Sequence, residues 1–355
     1  MRAFIAIFIF SLVLFIYLHI THHLYVSNDL EVYNLEGASK DKLEEICNLR
    51  QPVLIKFNNE NINSSCNLSM FEHKYGAFDL NIRNINKQDS DMYLPVLLKD
   101  SSNLFKNEGK YITENNYDFL EETGAIKKYM YNDSYLRPPM VATCDYDYIS
   151  GSINAHTPLR YMLNYRNYYY VTEGKVNLKL IPPSNAKFLH KIVDYENFEF
   201  RSPINPWNVD KRYEQDFNKV KSMDIEMTKG MLIYIPSYWW YSIKFSEPSS
   251  ICAFKYKTYM NMLTILPEIL MKYMQNQNIK RTTTNKITIN PIKKNSKKNS
   301  KKNSKKNINK EERKKKEVIQ KQTLPDIVLP SDIIEKLDIH TEVSLTKDEL
   351  PNIKF

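Results

Sequence analysis

Two hydrophobic patterns divide the chain. Ala3 to Ile20 is apolar almost without interruption, broken only by Ser11 and His19. A run of this length lies at the short end of a bilayer-spanning helix, which needs roughly 17–25 residues. A cleaved signal peptide is the rival reading. Against it, the run exceeds a usual signal-peptide core, and the exit from His19 to Tyr25 contains no small-x-small cleavage site. We therefore expect an uncleaved single-pass anchor over 3–20 and a polar connector over 24–39. Arg2 flanks one side, and Asp29 and Glu31 follow on the other. That asymmetry places the amino terminus in the cytosol and the bulk of the chain across the membrane.

From Lys40 the pattern turns globular and mainly β. Leu43, Ile46, Cys47 and Leu49 keep the spacing of a short amphipathic helix, and Val53 to Phe57 reads as a strand. After Tyr111-Ile112, Thr113 is expected to cap a helix through Tyr117, Phe119 and Leu120 that stops at Gly124. Met140 to Tyr148 reads as a strand on which Asp145 and Asp147 share a face, expected to be solvated. Met231 to Ile235 and Ile243 to Phe245 alternate as strands. Between them, Pro236-Ser237 and the pair Trp239-Trp240 mark a tight corner. Leu266, Ile269, Leu270, Tyr273 and Met274 return to helical spacing after Pro267.

Composition changes the picture at the carboxyl-terminal end. Between 280 and 322 there are 17 Lys or Arg against 3 Glu, including three Lys-Lys-Asn-Ser repeats. That surplus of 14 exceeds the +9 of the whole chain, so the remainder is net acidic. With almost no apolar residues, 279–323 is expected to be a disordered linker, followed by a tail over 324–355 with a short helix at Asp332 to Ile339. The basic stretch could bind nucleic acid or anionic lipid nonspecifically, or serve as a solvated linker. The four cysteines form no CxxC and are expected as free thiols. Sequons at Asn63, Asn67 and Asn132 are compatible with lumenal exposure. His19, His22 and His23 lack a carboxylate or cysteine partner, which favours polar residues at a lipid boundary over a metal site.

The stretch Gly230 to Phe245 carries the main resemblance. A glycine, an apolar strand, Ile-Pro and then Trp-Trp resembles the closing signature of the JmjC and cupin-like hydroxylase superfamily. Upstream, Thr157, Leu159, Asn167, Gly174 and Pro182-Pro183 match the same pattern, and the resemblance covers about residues 40–260. The combination also resembles membrane-anchored cupin-like proteins of large nucleocytoplasmic DNA viruses. The implied fold is a double-stranded β-helix, or jelly roll, with flanking helices over 40–278.

The resemblance implies an iron held by His-x-Asp and a later His, with 2-oxoglutarate beside it. This chain has Arg160-Tyr161-Met162 at the first pair and Tyr241 at the last position. Non-haem Fe(II) needs two imidazoles and a carboxylate, and an arginine repels a cation. The co-substrate lysine is displaced too, with Val176 in its place and Lys175 and Lys179 beside it. His156 precedes the strand and has no partner there. We therefore expect no cofactor and a binding or structural module, with a protein or small anion at the barrel mouth. The candidate pocket is Arg160, Tyr161, Met162 and Tyr241, supported by Asn167, Lys175, Lys179, Trp239 and Trp240. The alternatives are an Fe(II)/2-oxoglutarate oxygenase with unusual ligands, and a nucleic-acid or lipid tether acting through the basic tail.

Overall fold

The structure, a computed structural model, describes residues 2–86 and 93–278. The Lys-rich linker, the tail and its expected helix lie outside the described residues. An apolar helix, Arg2–Leu24, begins the chain. The strands that follow are β1 (Tyr33–Glu36), β2 (Val53–Lys56), β3 (Asp79–Asn84), β4 (Tyr93–Leu97), β5 (Tyr111–Thr113), β6 (Val141–Gly151), β7 (Arg160–Tyr161) and β8 (Arg166–Glu173). Then come β9 (Lys175–Ile181), β10 (Ile192–Asp194), β11 (Glu199–Arg201), β12 (Met223–Thr228), β13 (Met231–Ile235), β14 (Trp240–Phe245) and β15 (Ser249–Thr258). Two short helices, Tyr259–Thr264 and Leu266–Asn278, follow.

These strands form two sheets. One runs β1-β2-β13-β8-β15-β6-β5-β3-β4, and the other β10-β11-β7-β14-β9-β12. Strand alternation sorts their side chains into layers. Tyr169, Val171, Ile233, Ile251 and Ala253 of the first sheet meet Val176, Leu178, Leu180, Tyr241 and Ile243 of the second in the interior. The opposite face of the first sheet carries Tyr168, Tyr170, Tyr234, Phe254 and Tyr256, covered by helices that contribute Leu43, Phe71, Leu120 and Tyr129. Strand β8 is therefore buried on both faces, which is why its sequence is a continuous aromatic run. Polar side chains fix the starts of the covering helices: Ser39 accepts from the Lys42 amide and Asn67 from the Met70 amide.

The expected jelly roll with flanking helices is observed, and three local expectations change. The segment 24–39 belongs to the folded domain and is no free connector. Val26 is in the interior cluster, β1 pairs in parallel with β2, and the Trp239 indole donates to the Ser27 carbonyl at 3.1 Å. Thr113 is the last residue of β5, and Asn116 precedes the helix Tyr117–Glu122. Asn63 is buried and accepts from the Tyr170 hydroxyl at 2.7 Å, so that sequon has a packing role. Among the described residues Cys47, Cys66, Cys144 and Cys252 are free thiols.

Gly174 makes the turn from β8 to β9 at φ +77°, where an added Cβ would collide with the Pro248 carbonyl and the Ser249 hydroxyl. The turn therefore excludes a side chain both conformationally and sterically. Gly174→Ala should destabilise the domain by about 2 kcal/mol or more. A urea melt checks this, and a loss below about 0.5 kcal/mol would contradict the tight approach of β15 to this turn.

Candidate functional site

The site forms where β7 lies between β14 and β11. Arg160 is the direct cross-strand partner of Tyr241 on one side and of Arg201 on the other, while Tyr161 faces Phe200. Alternation sends Arg160 and Tyr241 inward. It sends Tyr161 outward, where its ring stacks on Phe200 at 5.2 Å and meets the edge of Trp240 at 4.8 Å. Met162 lies just past the strand and packs on the interior cluster.

Arg160 is buried and carries a fixed positive charge, so it needs an acceptor. Two protein carboxylates provide it. Its guanidinium pairs with Glu114 and, at 3.3 Å, with Glu199. Arg83 bridges the same two acids at 3.1 and 2.9 Å. The Tyr93 hydroxyl donates to Glu114 at 2.9 Å, and Arg201 donates to Glu199 at 2.9 Å. Glu114 is fully buried. Burial alone would raise its pKa, but Arg160 and Arg83 outweigh that and push it down to about 2.

Tyr241 completes the cluster from the other direction. Its hydroxyl shares a 2.6 Å hydrogen bond with the Tyr169 hydroxyl, and the Arg160 guanidinium lies 5.8 Å from its ring centre. Beyond it, Lys255 pairs with Asp147 at 3.2 Å, and Asp147 also accepts from the Asn115 and Asn116 amides. Asp147 is thus buried and saturated, against the expectation of a solvated face.

The other candidates divide. Trp239 and Asn167 belong to the interior side: Asn167 donates to the Ile235 carbonyl at 3.2 Å beside the cluster. Tyr161 and Trp240 are on the opposite face of the sheet and do not line the interior. Lys175 and Lys179 also point outward, paired with Glu226 and Asp224 on neighbouring β12. Their one-residue offset from the inward-facing Val176, Leu178 and Leu180 decides this. His156 lines an outer cleft of about 510 Å³ with Arg83, Arg201, Asn205, Lys211 and Arg212. The sequence reading missed Glu114, Glu199, Arg83 and Tyr93. Only the need of a buried Arg160 for carboxylates pointed towards such partners.

The cupin-like domain family matches residues 22–262. The chain belongs to the cupin-like domain family. HSPB1-associated protein 1 from Bos taurus and from Homo sapiens are similar to it, each 26% identical over 102 residues. Those segments cover 28% of this chain and 21% of each relative, so the chain spans about a fifth of the length of these relatives.

Membership in a family that resembles iron-dependent hydroxylases raises the question of whether these residues fit Fe(II). They do not. Among the described residues no three His, Cys, Asp or Glu side chains converge. Glu114 and Glu199, the carboxylates nearest Arg160, are already taken up by arginines. An inward guanidinium occupies the centre of the arrangement, and the nearby phenol oxygen of Tyr241 is engaged by Tyr169.

Neutralising Glu114 should leave two buried cations with Glu199 as their one remaining shared carboxylate. Glu114→Gln is expected to destabilise the domain by about 3–5 kcal/mol. The pH dependence has a definite sign. The folded pKa is lowered, so this stabilisation is complete above the ordinary carboxylate value and is lost as pH falls from about 4.5 towards about 2. The variant should show a flatter melting profile across that window. Equal slopes for wild type and variant would place the charge elsewhere.

Proposed function

We propose that this chain is a non-catalytic cupin-like module that its amino-terminal helix anchors in a membrane, and that it works by binding a protein partner at the barrel mouth. The observation that carries the reading is the Arg160 cluster. Where the resembling hydroxylases hold a metal, this barrel holds a guanidinium with its own carboxylates and a tyrosine pair. Such a centre ties both sheets together through mutually dependent charges and leaves no ligand set for oxygen chemistry.

Three observations support the binding role. The cleft beside Arg83 and Arg201 opens to solvent and is lined by Asn205, Asn208, Lys211 and Arg212, a polar surface suited to a macromolecular partner. The relatives are named for association with HSPB1, which is a statement about those proteins and makes protein binding the natural class to test here. Residues 3–20 of the Arg2–Leu24 helix are apolar almost throughout and none of them is buried within the domain, as an anchor requires.

Metal analysis of the purified full chain, combined with a 2-oxoglutarate turnover assay, tests the non-catalytic reading. We expect no stoichiometric iron and no succinate release. Stoichiometric iron with succinate release would establish the oxygenase instead. The triple variant Arg160→His, Met162→Asp, Tyr241→His should not recover activity, because Glu114 loses its Arg160 partner and stays buried against Arg83. It should melt at a lower temperature than wild type, and full iron occupancy at an undiminished melting temperature would show an open cavity.

A further inference from the structure

The two helices after β15 expose an apolar surface that the barrel does not use. In Leu266–Asn278, Ile269 packs on the cluster that contains Ile265, whereas Leu266, Leu270, Tyr273 and Met274 face outward on an adjoining arc. Leu270 is 51% exposed, Tyr273 64% and Met274 53%. Tyr259 and Leu263 on the preceding helix are exposed as well, at 60% and 44%. Large apolar side chains left exposed together on two successive helices mark an interaction site.

Its position relative to the amino-terminal helix indicates what covers it. The helix Arg2–Leu24 packs against Tyr259–Thr264. The less exposed positions of its last turns are Ile16, His19, Ile20 and His23, the i, i+3, i+4, i+7 stripe of a helix contact. Leu24 and Val26 also share a cleft of about 480 Å³ with Glu268 of the last helix. The Arg50 guanidinium donates to the His23 carbonyl at 2.7 Å and locks this end of the helix onto the barrel. The apolar run 3–20 is only about 27 Å long at 1.5 Å per residue. A bilayer core is about 30 Å thick, so none of that run can be withdrawn from it. Ile16 to Ile20 must stay in the hydrocarbon, and the helix Tyr259–Thr264, which packs against the amino-terminal helix, is drawn to the level of the headgroups. The exposed tyrosines Tyr25, Tyr259 and Tyr273 suit that depth.

We propose that the surface formed by Tyr259, Leu263, Leu266, Leu270, Tyr273 and Met274 inserts into the interfacial layer of the bilayer that the amino-terminal helix spans. The inference rests on the anchor reading made above. The barrel is then held at two points and has a fixed orientation on the membrane.

Spin labels on the full chain in phosphatidylcholine nanodiscs test this, with Cys144→Ser as background because the other three cysteines are buried. Labels are placed by Phe10→Cys, by Leu270→Cys and by Lys106→Cys. Lys106 is exposed on the helix Leu98–Asn107, which packs on β3 and β4 at the sheet edge away from β1 and β2. Tyr273→Cys replaces Leu270→Cys if that variant misfolds. The expected result is a label at 10 and a label at 270 that both meet oxygen several-fold more than a water-soluble nickel complex, with the reverse at 106. A membrane-buried label at 10 with an aqueous label at 270 overturns the docking while leaving the anchor intact. Aqueous labels at both 10 and 270 overturn the anchor reading itself. A label at 270 shielded from both reagents means that a second copy covers the patch, and this also overturns the proposal.

Discussion

A single buried charge governs the interior of this barrel. A guanidinium cannot be neutralised at any pH a protein survives, so placing Arg160 on the inward face of β7 forces the surroundings to answer it. The answer comes from Glu114 and Glu199, and the second cation, Arg83, balances the pair of acids. An ion pair of this kind is weak evidence for net stability, since desolvation offsets much of the attraction. Its effect is to make the members mutually dependent, because none can be removed without stranding another.

The amino-terminal segment shows a similar interlocking. Its path from Leu24 to Glu36 is set by β1 on β2, by Ser27 under the Trp239 indole, and by Gln51, whose amide donates to both Ser27 and Asp29. The Trp-Trp corner that closes the family signature thus has two separate tasks here. Trp239 clasps the incoming chain, and Trp240 packs with Tyr161 and Phe200 on the outer face of the second sheet. Adjacent residues on a strand point in opposite directions, so a sequence pair need not be a structural pair.

That same rule explains what the sequence revealed and what it concealed. The double-stranded β-helix was legible from Gly230 to Phe245 and from Thr157 to Pro183, because alternation and turn residues are local signals. Arg160 and Tyr241 were legible as neighbours because both replaced residues of a known constellation. Tyr161, Trp240, Lys175 and Lys179 were grouped with them by proximity in sequence, although the pleat carries them to the far face. Glu114 was illegible in a different way. It sits in Thr113-Glu114-Asn115-Asn116, which looks like an ordinary polar loop, and no periodicity separates a buried loop acid from a solvated one. Asp147 misled for a related reason: its face of β6 is polar, but Lys255 and two backbone amides take the place of water.

The cluster also bears on how the chain folds. Its members come from four separate stretches: Arg160 and Glu114 are 46 residues apart, and Arg83 and Glu199 are 116. None of these contacts can form by local zipping, and each requires a long loop to close first. A partly assembled barrel would hold one of these charges in a half-dry interior without its counterpart, which is a state of high free energy. Intermediates of that kind should be sparsely populated, so closure of the two sheets and pairing of these charges are expected to occur together.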